Sequence, residues 1–168
     1  MDSLGEEPGV LRFYGWRNVD LAIWDATPSL ASAAQLGRLC SARARTSTEP
    51  VSAVVVITPD AGPIQRDVWD ALRRAATCRR AKFAGLYFVL EHEGFVASAI
   101  RGMLTGYLLL AKNPPPLRVV RTVLQAATLI GDRHERDTGV PVDAGELLRV
   151  LENARHRKRV SEVTPTMR

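Results

Sequence analysis

Two rhythms of apolar and polar positions run along this chain. Val51-Ser52-Ala53-Val54-Val55-Val56-Ile57-Thr58 is almost continuously β-branched. That pattern suits a strand buried on both faces inside a parallel sheet. Ala84–Val89, within the apolar run Ala81–Leu90, and Leu117–Thr122 read the same way. Between them the spacing changes to threes and fours, the period of a helix face. Ile64, Val68, Ala71, Leu72 and Ala75 mark a helix over Ile64–Arg80, and Phe95, Val96, Ala99, Ile100, Met103 and Leu104 one over Phe95–Lys112. Asn113 and three prolines stop the second helix, because proline lacks the N–H and clashes with the preceding turn.

Upstream, Val10–Tyr14 and Val19–Trp24 are short strand candidates joined by Gly15-Trp16-Arg17-Asn18, a hairpin loop. Asp25-Ala26-Thr27-Pro28-Ser29 opens a helix over Leu30–Arg45, with Thr27 or Ser29 as its cap. Downstream, helices are expected over Val123–Arg136 and Ala144–Arg157, divided by Asp137-Thr138-Gly139-Val140-Pro141. The order is β-β-α-β-α-β-α-β-α with an extra C-terminal helix, which is the α/β class with helices packed on a sheet. Residues 10–136 form the expected domain, 137–159 a helical extension, and residues 1–9 and 160–168 are expected to be disordered. The core expected from the apolar faces is Val54, Val56, Leu72, Leu86, Phe88, Ile100, Leu104, Val119 and Leu124.

Composition adds little to the class. Hydrophobic residues at 46% and charged residues at 24% are ordinary for a globular chain. The most apolar helix carries Arg101 and is too short to span a bilayer, so no transmembrane segment is expected. The acidic start of the chain has no apolar signal-peptide core, and Cys40 and Cys78 read as two free thiols among small residues. A cytoplasmic protein is the expectation. The net charge is +5, and Arg149–Arg168 holds most of the excess, with six basic residues against two acidic ones. Charge gathered on a tail points away from nucleic-acid binding by the folded domain.

In a parallel sheet, ligands tend to bind beyond the carboxyl ends of the strands. Those ends carry Asp25, Thr58 with Asp60, Glu91-His92-Glu93, and Arg121 with Thr122. Asp25, Thr58, Asp60, Glu91, His92, Glu93 and Arg121, with Tyr107 on the following helix, are the candidate ligand- or partner-binding residues. Acid/base chemistry by Glu91, His92 or Glu93, or metal binding by His92, Glu91 and Asp60, is one reading, since histidine as a residue type can exchange a proton near neutral pH; a polar turn before a helix is the other. His134 and His156 read as solvated helix-surface residues. Gly102 and Gly106, four apart, read as close packing of their helix on the sheet. No Walker loop, GxGxxG, HExxH or GxSxG occurs, so no cofactor and no catalytic residue is assigned.

The strand Val51–Ile57, the strand Ala84–Val89 leading into Phe95-Val96-Ala97-Ser98-Ala99-Ile100-Arg101, and the strand Leu117–Arg121 leading into Val123–Ile130 together resemble the STAS/SEC14 superfamily, in particular its bacterial SpoIIAA-like branch. The resemblance covers about residues 10–136. It implies a STAS-like sheet with helices packed on it and a non-enzymatic regulatory or protein-interaction domain, with a protein partner or self-association. The SEC14-related side implies the alternative, a carrier of an apolar small molecule or lipid held between sheet and helices. A small enzyme using the strand-end polar residues is the second alternative. Phosphoserine switches of the family use an Asp-Ser-Ser-Gly-like loop after the central strand. Here that loop is Pro59-Asp60-Ala61-Gly62, where Ala61 carries no hydroxyl and Thr58 is the nearby residue able to take a phosphate.

Overall fold

The computed structural model describes residues 1–77, 83–92, 94–110 and 116–161. Within them a six-stranded mixed sheet carries five helices. The strands are β1 (Asp2–Glu7), β2 (Leu11–Trp16), β3 (Val19–Trp24), β4 (Val51–Ile57), β5 (Phe83–Leu90) and β6 (Leu117–Val120). They lie side by side in chain order. The pairs β1–β2 and β2–β3 are antiparallel, and β4, β5 and β6 are each added parallel to the strand before.

This topology dictates where the helices go. Each parallel addition steps one place in the same direction, and crossovers share one hand. The three crossover helices α1 (Leu30–Thr46), α2 (Arg66–Thr77) and α3 (Gly94–Leu110) therefore cover one face. The helices α4 (Val123–Thr138) and α5 (Ala144–Ser161) cover the other. Alternation along β3 divides the two cores: Ala22 and Trp24 point to the α1–α3 layer, while Val19, Leu21 and Ile23 point to the α4–α5 layer. Burial on both sides is why β4 reads as an unbroken apolar run.

The helix ends follow local chemistry. Ser29 and Ser32 form a reciprocal capping box at the start of α1. Thr122 caps α4, which ends on Gly139 in the left-handed region at φ 76°. The Asp143 carboxylate accepts from the Glu146 N–H to open α5. No described helix is long and apolar enough to cross a membrane.

Several expectations are corrected. Residues 2–7 are not disordered: they pair with β2 as β1, and Leu4 packs against the α1-side core. A sixth strand is formed there because the edge of β2 offers unpaired backbone groups and an apolar contact for Leu4. The segment 137–159 is not an appendage, since Leu147, Leu151 and Ala154 of α5 are fully buried in the second core. Leu124 is 57% exposed. The buried face of α4 runs through Val123, Ala126, Ala127, Ile130 and His134, which turns Leu124 outward. His134, expected on the surface, is 1% exposed. Gly102 and Gly106 do not pack on the sheet: a Cβ at either would meet nothing within 4 Å. Ala97, Ile100 and Leu104 form the buried side of α3 instead. Leu72, Phe88 and Val119 are only partly buried, while Val54, Val56, Leu86, Ile100 and Leu104 lie in the core as expected. Glu93, Cys78 and residues 162–168 lie outside the described residues, as does the side chain of Tyr107.

Candidate functional site

The register places Trp24, Ile57 and Leu90 in line, so Asp25, Thr58 and Glu91 emerge together at one edge of the sheet. Arg121, just past β6, is at the same edge. They do not converge on a common space. Asp25 is buried and bound by Arg12 of β2, with Nε donating to Oδ2 at 2.5 Å and Nη2 to Oδ1 at 2.8 Å. The remaining Arg12 nitrogen, Nη1, donates to the carbonyl of Ala154 in α5. Burial works against the Arg12 charge, but the bond and attraction of Asp25 outweigh it and hold the guanidinium above its usual range. Glu91 accepts from Arg155 Nη2 at 2.7 Å. Both carboxylates are thus engaged by arginines that fasten α5 across the strand ends.

The other edge residues are tied down or exposed to solvent. The Thr58 hydroxyl donates to the Trp24 carbonyl at 2.9 Å, so it closes the β3–β4 seam. Asp60 is exposed on the β4–α2 loop. His92 Nε2 donates to the Ala61 carbonyl at 2.6 Å, and its Nδ1 is buried without a hydrogen-bond partner. The Arg121 backbone N–H donates to the Gln125 side chain, and the residue is exposed. Among the described residues, no three His, Cys, Asp or Glu side chains gather into a set able to hold a metal ion.

At the opposite edge lies a polar network missing from the sequence reading. His134 Nδ1 accepts from the Ser52 hydroxyl at 2.7 Å, and Nε2 donates to Asn18 Oδ1 at 2.7 Å. The Asn18 amide nitrogen donates to the Pro50 carbonyl at 3.1 Å. This is a neutral imidazole with its proton on Nε2, satisfied on both nitrogens. Burial pushes the His134 pKa down, against an opposing pull from Asp137. A serine bonded to a histidine invites a hydrolytic reading, but Ser52 and His134 are both 1% exposed. No substrate can reach the hydroxyl, so the network joins the β2–β3 hairpin, β4 and α4 structurally.

The third feature is a cavity of about 80 Å³ between the sheet and the α1–α3 layer. Phe13, Trp24, Ala53, Trp69, Leu86 and Leu104 are among its walls. Residues from five strands and all three crossover helices line it, so it belongs to the fold and not to one loop. Of the described sequence-predicted site residues, none lines it. Asp20 does, and so does Cys40. A lone aspartate within Val19-Asp20-Leu21-Ala22-Ile23 was the available signal: a charge inside a buried strand must have a special partner.

Comparison of the chain with family models, with curated proteins and with solved structures finds no match.

Proposed function

We propose that this chain is a non-enzymatic binding domain of the STAS/SEC14 kind that carries an apolar small molecule between its sheet and the α1–α3 layer. The cavity is the observation that carries the reading. Protein interiors pack as densely as organic crystals. An unfilled 80 Å³ apolar void costs about 2 kcal/mol at the ~24 cal/mol per Å³ found for core cavities. A ligand that fills it recovers that cost. The volume exceeds the ~10–15 Å³ that holds one water and is about half of the ~150 Å³ apolar cavity that takes benzene. The cargo is therefore one small ring or short chain, or the end of a longer chain. The serial strand order with three crossover helices on one face supports the STAS-like fold assignment. The engagement of Asp25 and Glu91 within the protein weighs against chemistry at the strand ends.

Filling the cavity provides the test. Ala53 lines it and is nearly fully buried. Ala53→Leu is expected to abolish binding of a neutral apolar probe such as indole, followed by native mass spectrometry and thermal shift. Stability should hold within about 1–3 kcal/mol, the range for added methylenes in a core. Undiminished probe binding by the folded variant would place the ligand elsewhere.

A second reading, a protein-interaction domain, draws on the outward face of α3. Ser98 and Gly102 are exposed there, and Gly106 leaves open space beside them. Small residues allow close helix approach. Self-association through this face predicts a dimer in sedimentation velocity that Gly102→Leu dissociates; a monomer at all concentrations contradicts it.

A further inference from the structure

The cavity is long for its volume. Its walls run from Phe13 on β2 to Leu117 on β6, so about 80 Å³ is spread beneath the helices across five neighbouring strands. At the ~4.8 Å spacing of neighbouring strands, β2 to β6 is about 19 Å. A void drawn out in this way suits a single hydrocarbon chain better than a ring, which needs its volume in one place.

The sheet shows where such a chain would emerge. Register puts Ala22, Val55, Phe88 and Val119 in one row across β3, β4, β5 and β6, on the α1–α3 face. Ala22 is buried, but Val55, Phe88 and Val119 are only partly so. A residue inside a central parallel strand is ordinarily covered from both sides. The opposite face is closed over the same strands, with Val54, Val56 and Val89 fully buried toward α4 and α5. The α1–α3 layer thus leaves an apolar furrow over β4 and β5 that ends at β6, the edge strand.

That edge is basic. Arg121 follows β6 and is exposed. Arg101 is in the second turn of α3, near the same end of the strand. Ala97, Ile100 and Leu104 turn α3 toward the sheet, and Arg101, four residues after Ala97, flanks their stripe. With a right-handed helix and a right-handed crossover, this flank faces the outer edge of β6. Among the described residues, neither arginine side chain has a hydrogen bond or an ion pair. Glu91, the acidic residue where β5 ends, is already held by Arg155 of α5.

We propose that the cavity takes the tail of a medium-chain fatty acid, whose chain lies along the furrow and whose carboxylate meets Arg101 and Arg121 at the β6 edge. This rests on the cavity being a ligand site and adds the shape and the charge of its ligand. Arginine and carboxylate form charge-assisted hydrogen bonds, the stronger kind, so the head group fixes which end of the chain stays outside.

Octanoate, 1-octanol and octylamine share one chain and differ in head group. They are titrated into the full chain at neutral pH and followed by methyl NMR. Octanoate is expected to bind about tenfold more tightly than octanol, the worth of one charged hydrogen bond, and octylamine most weakly. The double change Arg101→Gln with Arg121→Gln, both outside the core, should bring octanoate to the affinity of octanol and leave octanol unchanged. Val119→Phe should weaken all three and spare indole. Octanoate no tighter than octanol, octylamine tightest, or octanoate unmoved by the double change overturns the carboxylate assignment and leaves the cavity as a site for neutral ligands. Octyl binding unmoved by Val119→Phe overturns the exit at β6. Indole binding with failure of all three octyl probes overturns the chain-shaped ligand and keeps the cavity reading; failure of indole as well overturns both.

Discussion

Replacing Arg12 by alanine is expected to destabilise the protein by about 3–5 kcal/mol, the range for removing one partner of a buried ion pair. For a chain of this size that lowers the melting temperature on the order of 10 °C. The reason lies in what remains. Asp25 would keep its charge in a nearly closed environment with neither of its two arginine bonds, and the Ala154 carbonyl would lose its donor. Thermal and guanidinium unfolding, followed by circular dichroism, read the effect directly. The double change Arg12→Met with Asp25→Leu should recover most of the loss, because no buried charge is left behind. A cost below about 1 kcal/mol for Arg12→Ala would match an exposed ion pair and contradict the burial described here.

The second large effect is a loss of stability in acid that depends on His134. Its folded-state pKa lies below the ordinary 6.5 because burial disfavours the imidazolium. In the unfolded chain it titrates near 6.5. The unfolded state therefore binds more protons as the pH drops, and stability falls. The contribution is fully present above 6.5 and is lost as the pH falls through the folded-state value. Between the two values the slope from this one group approaches about 1.4 kcal/mol per pH unit. Denaturant unfolding across pH 7.5 to 4.5 should show that slope, and His134→Gln should flatten it. A variant with the same pH profile as the unaltered protein would assign the acid sensitivity to other groups.

How much of this was legible in the sequence depends on whether the signal is local. The β4 run and the three-and-four spacing of α3 are local, and both elements form where the pattern puts them. The arrangement of strand ends also follows from local elements, and Asp25, Thr58 and Glu91 do line one edge. What each of them bonds to is not local. Arg12 reaches α5 across 142 positions, and His134 meets Ser52 across 82. A strand pattern announces burial on both faces without naming the helix on either. That is why α5 reads as an extension and β1 as a loose end. Some of the signal was present but weak. Ala126, Ile130 and His134 step by four, which places the histidine on the buried face of α4 and Leu124 off it. Arg12 and Asp20, each single charges inside apolar strands, mark the two buried ion pairs. The cavity has no sequence signature, since a void depends on how five strands and three helices meet.

The most direct measurement of the central claim is methyl NMR of the protein titrated with an apolar ligand. The two cores report separately because the sheet divides them. Shifts are expected at Ala22, Ala53, Leu86 and Leu104, on the α1–α3 side, with Leu21, Ile23, Val56 and Ile130 little changed. Shifts confined to the α4–α5 side, or none on either side at millimolar ligand, would contradict it.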